Sequence, residues 1–345
     1  MRTWVSHGQS GQSEVVLCPD FLCYNASMDI IRIENLTKKY GGLTAVDGIS
    51  FSVNEGEIFG LLGPNGAGKT TTLMMLSTLL KPTSGTAGVD GYDVVKQQGL
   101  VRNSIGMVFQ DPSSDTLLSG YENLKLHALM YNLPLREIDS RIDKVLELVD
   151  LQKRKHDVVK KYSGGMRRRL EIARGLLHAP KVFFLDEPTL GLDPQTRDHI
   201  WEYIQNLAKQ TRMTIIVTTH YMEEAEKLCD RIAIIDHGKI AALDSPMNLK
   251  RALGGDKVIL KGNIAIETLR KFPFVRKAEI IEGAVHLSVE QAGKNLQELL
   301  CSAGDVENVE VHSPDLNDVF LNLTGRAMRE EGEASSYIQD ITRAT

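Results

Sequence analysis

The sequence predicts an α/β fold: a parallel-sheet core with an antiparallel β subdomain, an α-helical insertion and a small C-terminal α+β domain. Three observations carry this reading. Four apolar runs, at 58–62, 105–109, 182–185 and 215–217, are nearly continuous, as expected of strands buried on both faces of a helix-covered parallel sheet. The stretch 117–161, between the second and third runs, is helical in pattern and holds no convincing strand, which makes it an insertion. After Asp244-Ser245-Pro246 the pattern changes to short strands separated by helical stretches.

Taken in order, residues 1–27 mix Gly, Ser and Gln without sustained periodicity and are expected to be a disordered extension or the product of a mis-assigned start. Val15-Val16-Leu17 is cut short by Pro19 and Asp20, so the stretch does not make a secretory signal. Met28 opens the first patterned segment, and 30–33 and 49–53 alternate as half-buried strands do. The main domain spans 28–245, with its helical insertion at about 111–165. A C-terminal α+β domain follows over 246–326, with strands at 257–260, 276–281, 285–289 and 308–311 and helices at 265–271 and 292–303. The remainder, 327–345, is rich in Glu, Ser and Arg and reads as a disordered tail.

Composition narrows the function classes. With 42% apolar and 25% charged residues in 345, the chain can bury an ordinary core, and its net charge of −5 gives no reason to expect a nucleic-acid partner. No stretch approaches the ~20 apolar residues of a membrane-spanning helix, so any membrane role runs through a partner. Cys18, Cys23, Cys229 and Cys301 match no paired zinc or disulfide framework and read as reduced thiols of a cytosolic protein.

In open α/β sheets ligands bind beyond the carboxyl ends of the strands, and all four apolar runs end there in chemically useful residues. The first leads into Gly63-Pro64-Asn65-Gly66-Ala67-Gly68-Lys69-Thr70, a full P-loop pattern, then Thr71 and an apolar helix at 73–80. Glycines let backbone N–H groups turn inward around phosphate oxygens, and the helix that follows presents its positive end. Lys69 can reach the β- and γ-phosphates as a point charge, and the Thr70 hydroxyl can ligate Mg²⁺. The third run ends in Asp186-Glu187-Pro188: Asp186 suits Mg²⁺ coordination and Glu187 suits polarising an attacking water. Two acids after a strand are by themselves more often a helix start; beside a P-loop those odds reverse. The second and fourth runs end at Gln110 and His220. A lone glutamine or histidine is usually a structural hydrogen-bonder, yet a γ-phosphate near this sheet edge makes both catalytic candidates, and Gln110 a Mg²⁺ contact as well.

A second anion site lies off the sheet edge. Tyr162-Ser163-Gly164-Gly165-Met166 precedes a helix with Met166, Leu170, Ala173 and Leu177 on one face; Ser163 is a good N-cap and the glycines expose backbone donors. Two phosphate-binding helix ends beside one P-loop suggest that the second contacts ATP held by a partner. The Arg167-Arg168-Arg169 run reads as a solvated helix face.

These residues together resemble the nucleotide-binding domain of ABC transporters over roughly 30–243. Gly63 to Thr70 resembles the family's Walker A, Gln110 its Q-loop, Ser163-Gly164-Gly165 its signature, and Val182 to Glu187 its Walker B. Asp193 falls where the D-loop belongs, His220 where the switch histidine belongs, and Tyr40 resembles the aromatic residue that stacks on adenine. Two departures, Tyr162 with Met166 in the signature and Leu190-Gly191 before Leu192-Asp193, leave the Ser-Gly-Gly and Asp cores intact. Both resemble the branch related to daunorubicin-resistance exporters, as does the ending Asp315 to Gly325. The resemblance implies an ATPase that uses ATP and Mg²⁺, closes as a homodimer and drives export through a separately encoded permease at the cytoplasmic face of the membrane. The competing reading is a soluble ABC-class ATPase acting on nucleic acid or ribosomes. One P-loop, no long heptad tract and an acidic balance weigh against it.

Overall fold

The computed structural model describes residues 29–325; the proposed extension and tail, with Cys18 and Cys23, lie outside the described residues. β1 (Asp29–Tyr40) and β2 (Leu43–Asn54) form an antiparallel hairpin turned at Gly41-Gly42. β3 (Ile58–Leu62), buried throughout, passes the chain through the P-loop into α1 (Lys69–Leu76). β4 (Ser84–Val89) and β5 (Tyr92–Asp93) complete the antiparallel sheet β2-β1-β4-β5, and α2 (Gln98–Ser104) leads into β6 (Ile105–Val108). The expected helix at 73–80 is displaced toward the P-loop. It starts at Lys69 and stops where Thr78 turns left-handed (φ 67°).

Three α-helices follow: α3 (Gly120–Met130) and α4 (Leu135–Leu148), within the stretch read as an insertion, and α5 (Gly164–Leu176), which begins at its expected end. Ser119 and Glu122 close a reciprocal capping box on α3. α4 buries Ile138, Ile142, Val145 and Leu146 at helical spacing and turns its charges outward. β7 (Val182–Asp186), α6 (Pro194–Thr211), β8 (Thr214–Thr219), α7 (Met222–Leu228), β9 (Arg231–Asp236) and β10 (Lys239–Asp244) then finish the main unit. Its sheet runs β10-β9-β3-β8-β7-β6, with every neighbour parallel except β10. Val182 and Phe184 point into the core shared with α1 and the β1–β2 hairpin, whereas Phe183 and Leu185 point into the core shared with α3–α7. Both faces are covered, which is why this strand is apolar at every position.

α8 (Pro246–Ala252), β11 (Asp256–Ile264), α9 (Ile266–Leu269), β12 (Val275–Ile281), β13 (Ala284–Val289), α10 (Ala292–Ala303), β14 (Gly304–His312) and α11 (Leu316–Thr324) make up the remainder. The sheet β12-β13-β11-β14 has a core of its own, built on Val258, Leu260, Leu287, Val289 and Leu299. α11 does not join that core. It packs on α7, α8 and β10, and Leu316, Val319 and Phe320 are buried in the same cluster as Leu228 and Leu249. Asp315 and Asp318 close a capping box at its start. Phe320→Ala should therefore destabilise the main unit, by about 3–5 kcal/mol for a fully buried Phe, read as a lowered urea midpoint. An unchanged midpoint would mean that α11 contributes nothing to that core.

Candidate active site

The P-loop wraps the carboxyl end of β3. Gly66 (φ 80°) and Gly68 (φ 106°) hold the left-handed turns that aim N–H groups inward. A Cβ at Gly68 would also lie 2.5 Å from the carbonyl oxygen of Ala45 in β2. The first-turn N–H groups of α1, at Lys69, Thr70 and Thr71, have no intrahelical acceptors, an arrangement suited to an anion, while the Ala67 N–H donates to the Pro64 carbonyl (3.2 Å). Lys69 is 4% exposed; its Nζ donates to the carbonyls of Gly63 (2.7 Å) and Pro64 (3.1 Å) and lies 3.5 Å from Glu187 Oε1. Burial pushes its ammonium below the usual lysine range, against Glu187 and Asp186, which favour the charge.

β7 delivers the two acids. Asp186 Oδ1 accepts from Thr70 Oγ1 (3.1 Å) and Thr218 Oγ1 (2.5 Å); burial raises its carboxyl, against those two hydrogen bonds. Glu187 is 8% exposed and left-handed (φ 44°), a costly backbone state for a non-glycine residue. Its N–H is held by Thr218, at 3.2 Å from the carbonyl and 3.0 Å from the hydroxyl. Its Oε1 lies 3.3 Å from His220 Nδ1, so β3, β7 and β8 bring Lys69, Glu187 and His220 together. Burial raises the Glu187 carboxyl, but His220 and Lys69 outweigh it and hold the group below the ordinary glutamate range.

Gln110 is not brought into this cluster. It sits exposed at the bend after β6, with no hydrogen bond to Thr70, Asp186 or Glu187 among the described residues. Tyr40 ends β1, half-buried, with Lys38 Nζ 5.0 Å from its ring centre. Ser163 caps α5 by accepting from the N–H of Met166 (3.3 Å), and Ser163 and Gly164 are exposed. A Cβ at Gly165 would sit 2.5 Å from Thr196 Cγ2, and one at Gly164 3.5 Å from Leu192, so this helix end stands beside the loop carrying Asp193. Asp193 itself caps α6 through Thr196. No hydrogen bond or ion pair joins Ser163, Gly164 or Gly165 to Lys69, Thr70, Asp186 or Glu187 among the described residues.

One sequence expectation is overturned. The Arg167-Arg168-Arg169 run is not a solvated face: Arg168 is 6% exposed, and Arg167 and Arg169 donate to the carbonyls of Tyr162 and Val149. Three participants were invisible to motif reading. Thr218 bridges the two acids, Arg168 binds backbone around them, and buried Glu224 accepts from Thr189 (3.0 Å) and Trp201 (2.9 Å) beside the His220 loop. Each acts through a partner distant in sequence; a polar residue directly after an apolar run, as Thr218 follows Ile215 to Val217, is the one signal that could have raised it. Tyr162, one of the two departures in the signature, is buried and its hydroxyl donates to the carbonyl of Arg154 (2.8 Å).

The oxygen donors fit Mg²⁺. Thr70 and Asp186 offer a hydroxyl and a single carboxylate at hydrogen-bonding distance, and Mg²⁺ uses one or two carboxylates, phosphate oxygens and water. Among the described residues no group of three His, Cys, Asp or Glu gathers to hold a metal, and no helix is long and apolar enough to cross a membrane.

The chain is similar to known proteins in sequence and in fold. Residues 46–190 match the family described as ABC transporter, and 245–324 match the ATP-binding protein DrrA1-3-like C-terminal domain. The linearmycin resistance ATP-binding protein LnrL of Bacillus subtilis is 41% identical across 87% of this chain and 100% of its own length. The daunorubicin resistance ATP-binding protein DrrA2 of Streptomyces coeruleorubidus is 40% identical across 86% of this chain and 95% of its own. Among solved structures, cbiO1 from Clostridium perfringens, part of the ABC transporter complex cbiONQ, superposes with a TM-score of 0.60 at 30% identity, covering 66% of this chain and 94% of that one.

Proposed function

The chain belongs to the ABC transporter ATP-binding subunits and is an ATPase, and we propose that it powers export of drugs or other small or lipophilic molecules through a separate permease. The observation that carries the catalytic part is the meeting of Lys69, Glu187 and His220 at the ends of three parallel strands, beside Thr70 and Asp186. The resistance proteins it resembles favour the export part and give the nucleic-acid alternative no support.

The N–H groups of the P-loop and of the first turn of α1 bind the phosphates, and the γ-phosphate draws Lys69 away from the Gly63 and Pro64 carbonyls. Thr70 and Asp186 would hold Mg²⁺, which would supply positive charge to offset that of the transferring group. Glu187 takes the proton from the attacking water, and its lowered carboxyl is ionised and ready to accept at neutral pH. His220 orients that carboxylate and faces the γ-phosphate side. Gln110, outside the cluster and exposed, is suited to report motion of the neighbouring surface to the permease. Two copies close as a homodimer, and Ser163 and Gly165 of each donate to the nucleotide of the other. The assembly sits at the cytoplasmic face of the membrane. Its test is phosphate release by the purified chain with ATP and Mg²⁺, which Lys69→Ala should remove; equal release by that variant would refute the site.

The adenine has its own test. If Tyr40 stacks on the base through its ring, Tyr40→Ala should weaken ATP binding by about 1–3 kcal/mol and Tyr40→Phe should change little. Equal losses from both would assign the contact to the hydroxyl.

A further inference from the structure

We propose that Arg168 is a positioning residue that ties the Ser163 end of α5 to the backbone carrying Gln110 and Glu187, so that contact at one is felt at the other. This rests on the ATPase reading above. The guanidinium spans three chain segments: Nε donates to the Pro188 carbonyl (2.7 Å), Nη1 to that of Phe109 (2.5 Å) and Nη2 to that of Asp186 (2.9 Å). Phe109 immediately precedes Gln110. The Asp186 carbonyl belongs to the peptide entering Glu187, and Pro188 follows Glu187, so the left-handed turn at Glu187 is gripped on both sides. A strained backbone persists only where its surroundings over-determine it, and Arg168 supplies much of that constraint.

No carboxylate lies within ion-pair distance of this side chain among the described residues. Burial pulls Arg168 down to about 10, opposed by Glu171, Asp186 and Glu224, so it stays charged at neutral pH. Keeping a charge buried with carbonyls as its hydrogen-bond partners is expensive, and only a planar fork reaches three of them at once. The neighbours differ. Arg167 binds the Tyr162 carbonyl and Arg169 that of Val149, so both stay within the helical region. α5 is also seated tightly on the sheet: a Cβ at Gly175 would come within 2.6 Å of Phe183, and one at Gly106 within 2.3 Å of the Gly175 carbonyl. Any shift of the Ser163 end is then transmitted by a stiff helix, five residues along, into the Phe109 and Asp186–Pro188 backbone.

The test uses the full chain with Arg168→Lys, which keeps the charge and loses the fork, and Arg168→Met, which fills similar space without a buried charge. ATP affinity is measured in EDTA by equilibrium dialysis, kcat and KM by phosphate release with Mg²⁺, and folding by thermal denaturation. At least one variant should fold, bind ATP within about threefold of the parent and lose roughly 10–100-fold in kcat, the scale of a misplaced catalytic group. Arg169→Ala should leave kcat within about twofold. In a double-mutant cycle Ser163→Ala should cost less in the Arg168→Lys background than in the parent, because the link is already cut. Parent-like kcat in a folded Arg168 variant, strictly multiplicative effects with Ser163→Ala, or failure of both variants to fold would each overturn the assignment. A parent that releases no phosphate would instead bring down the ATPase reading, and this proposal with it.

Discussion

Glu187→Gln is expected to cut ATP turnover by about 10²–10⁴-fold while ATP binding survives, because glutamine cannot take the proton that the water must lose. The geometry narrows the interpretation. Glu187 is wedged between Lys69 and His220 with its N–H fixed by Thr218, and glutamine keeps the length and the left-handed backbone without the negative charge. Affinity should hold or rise, since a carboxylate beside the γ-phosphate repels it and an amide does not. With binding intact and hydrolysis blocked, the variant should accumulate as an ATP-bound dimer. Steady-state phosphate release and size-exclusion chromatography with and without ATP check both halves. Turnover near the parent's would remove Glu187 from the role of base, and lost turnover without a dimer would separate chemistry from closure.

Much of this site was legible because its parts are either contiguous or fixed to strand ends. Gly63 to Thr70 declares itself by spacing, and the rule that ligands gather at strand carboxyl ends brings Asp186 and His220 to the same edge without any contact being known. The core strands were legible for the related reason that burial on both faces leaves no polar position in Val182 to Leu185. What stayed hidden depends on who meets whom. An arginine triplet looks solvated until the partners of Arg168 are known, and those come from 109, 186 and 188. The same holds for α11, whose amphipathic pattern predicts a buried face and not which core receives it. Gln110 shows the reverse: strand-end position alone made it a candidate, and the side chain lies in solvent.

The signature should act across the dimer, and mixing two damaged chains is expected to restore ATP occlusion. Lys69, Thr70, Asp186 and Glu187 form one connected group, whereas Ser163-Gly164-Gly165 stands beside Leu192 and Thr196, unlinked to it and with Ser163 and Gly164 exposed. A helix end with free donors facing solvent can serve a second copy, and a C₂ arrangement lets each copy serve the other and closes without open ends. Lys69→Ala removes the positive charge that meets the phosphates in one chain's own site. Ser163→Arg blocks the donor end while costing the fold little more than one cap, about 1 kcal/mol. If the signature works in trans, a mixed dimer has one site with both defects and one site wholly intact. If it works in cis, every site carries one defect. Neither variant alone should occlude ATP, and the mixture should recover about one occluded nucleotide per mixed dimer. Filter retention of labelled ATP, with chains carrying different tags so that mixed dimers are counted, reads this directly. Verified mixed dimers that retain no ATP would leave the signature acting on its own chain's nucleotide.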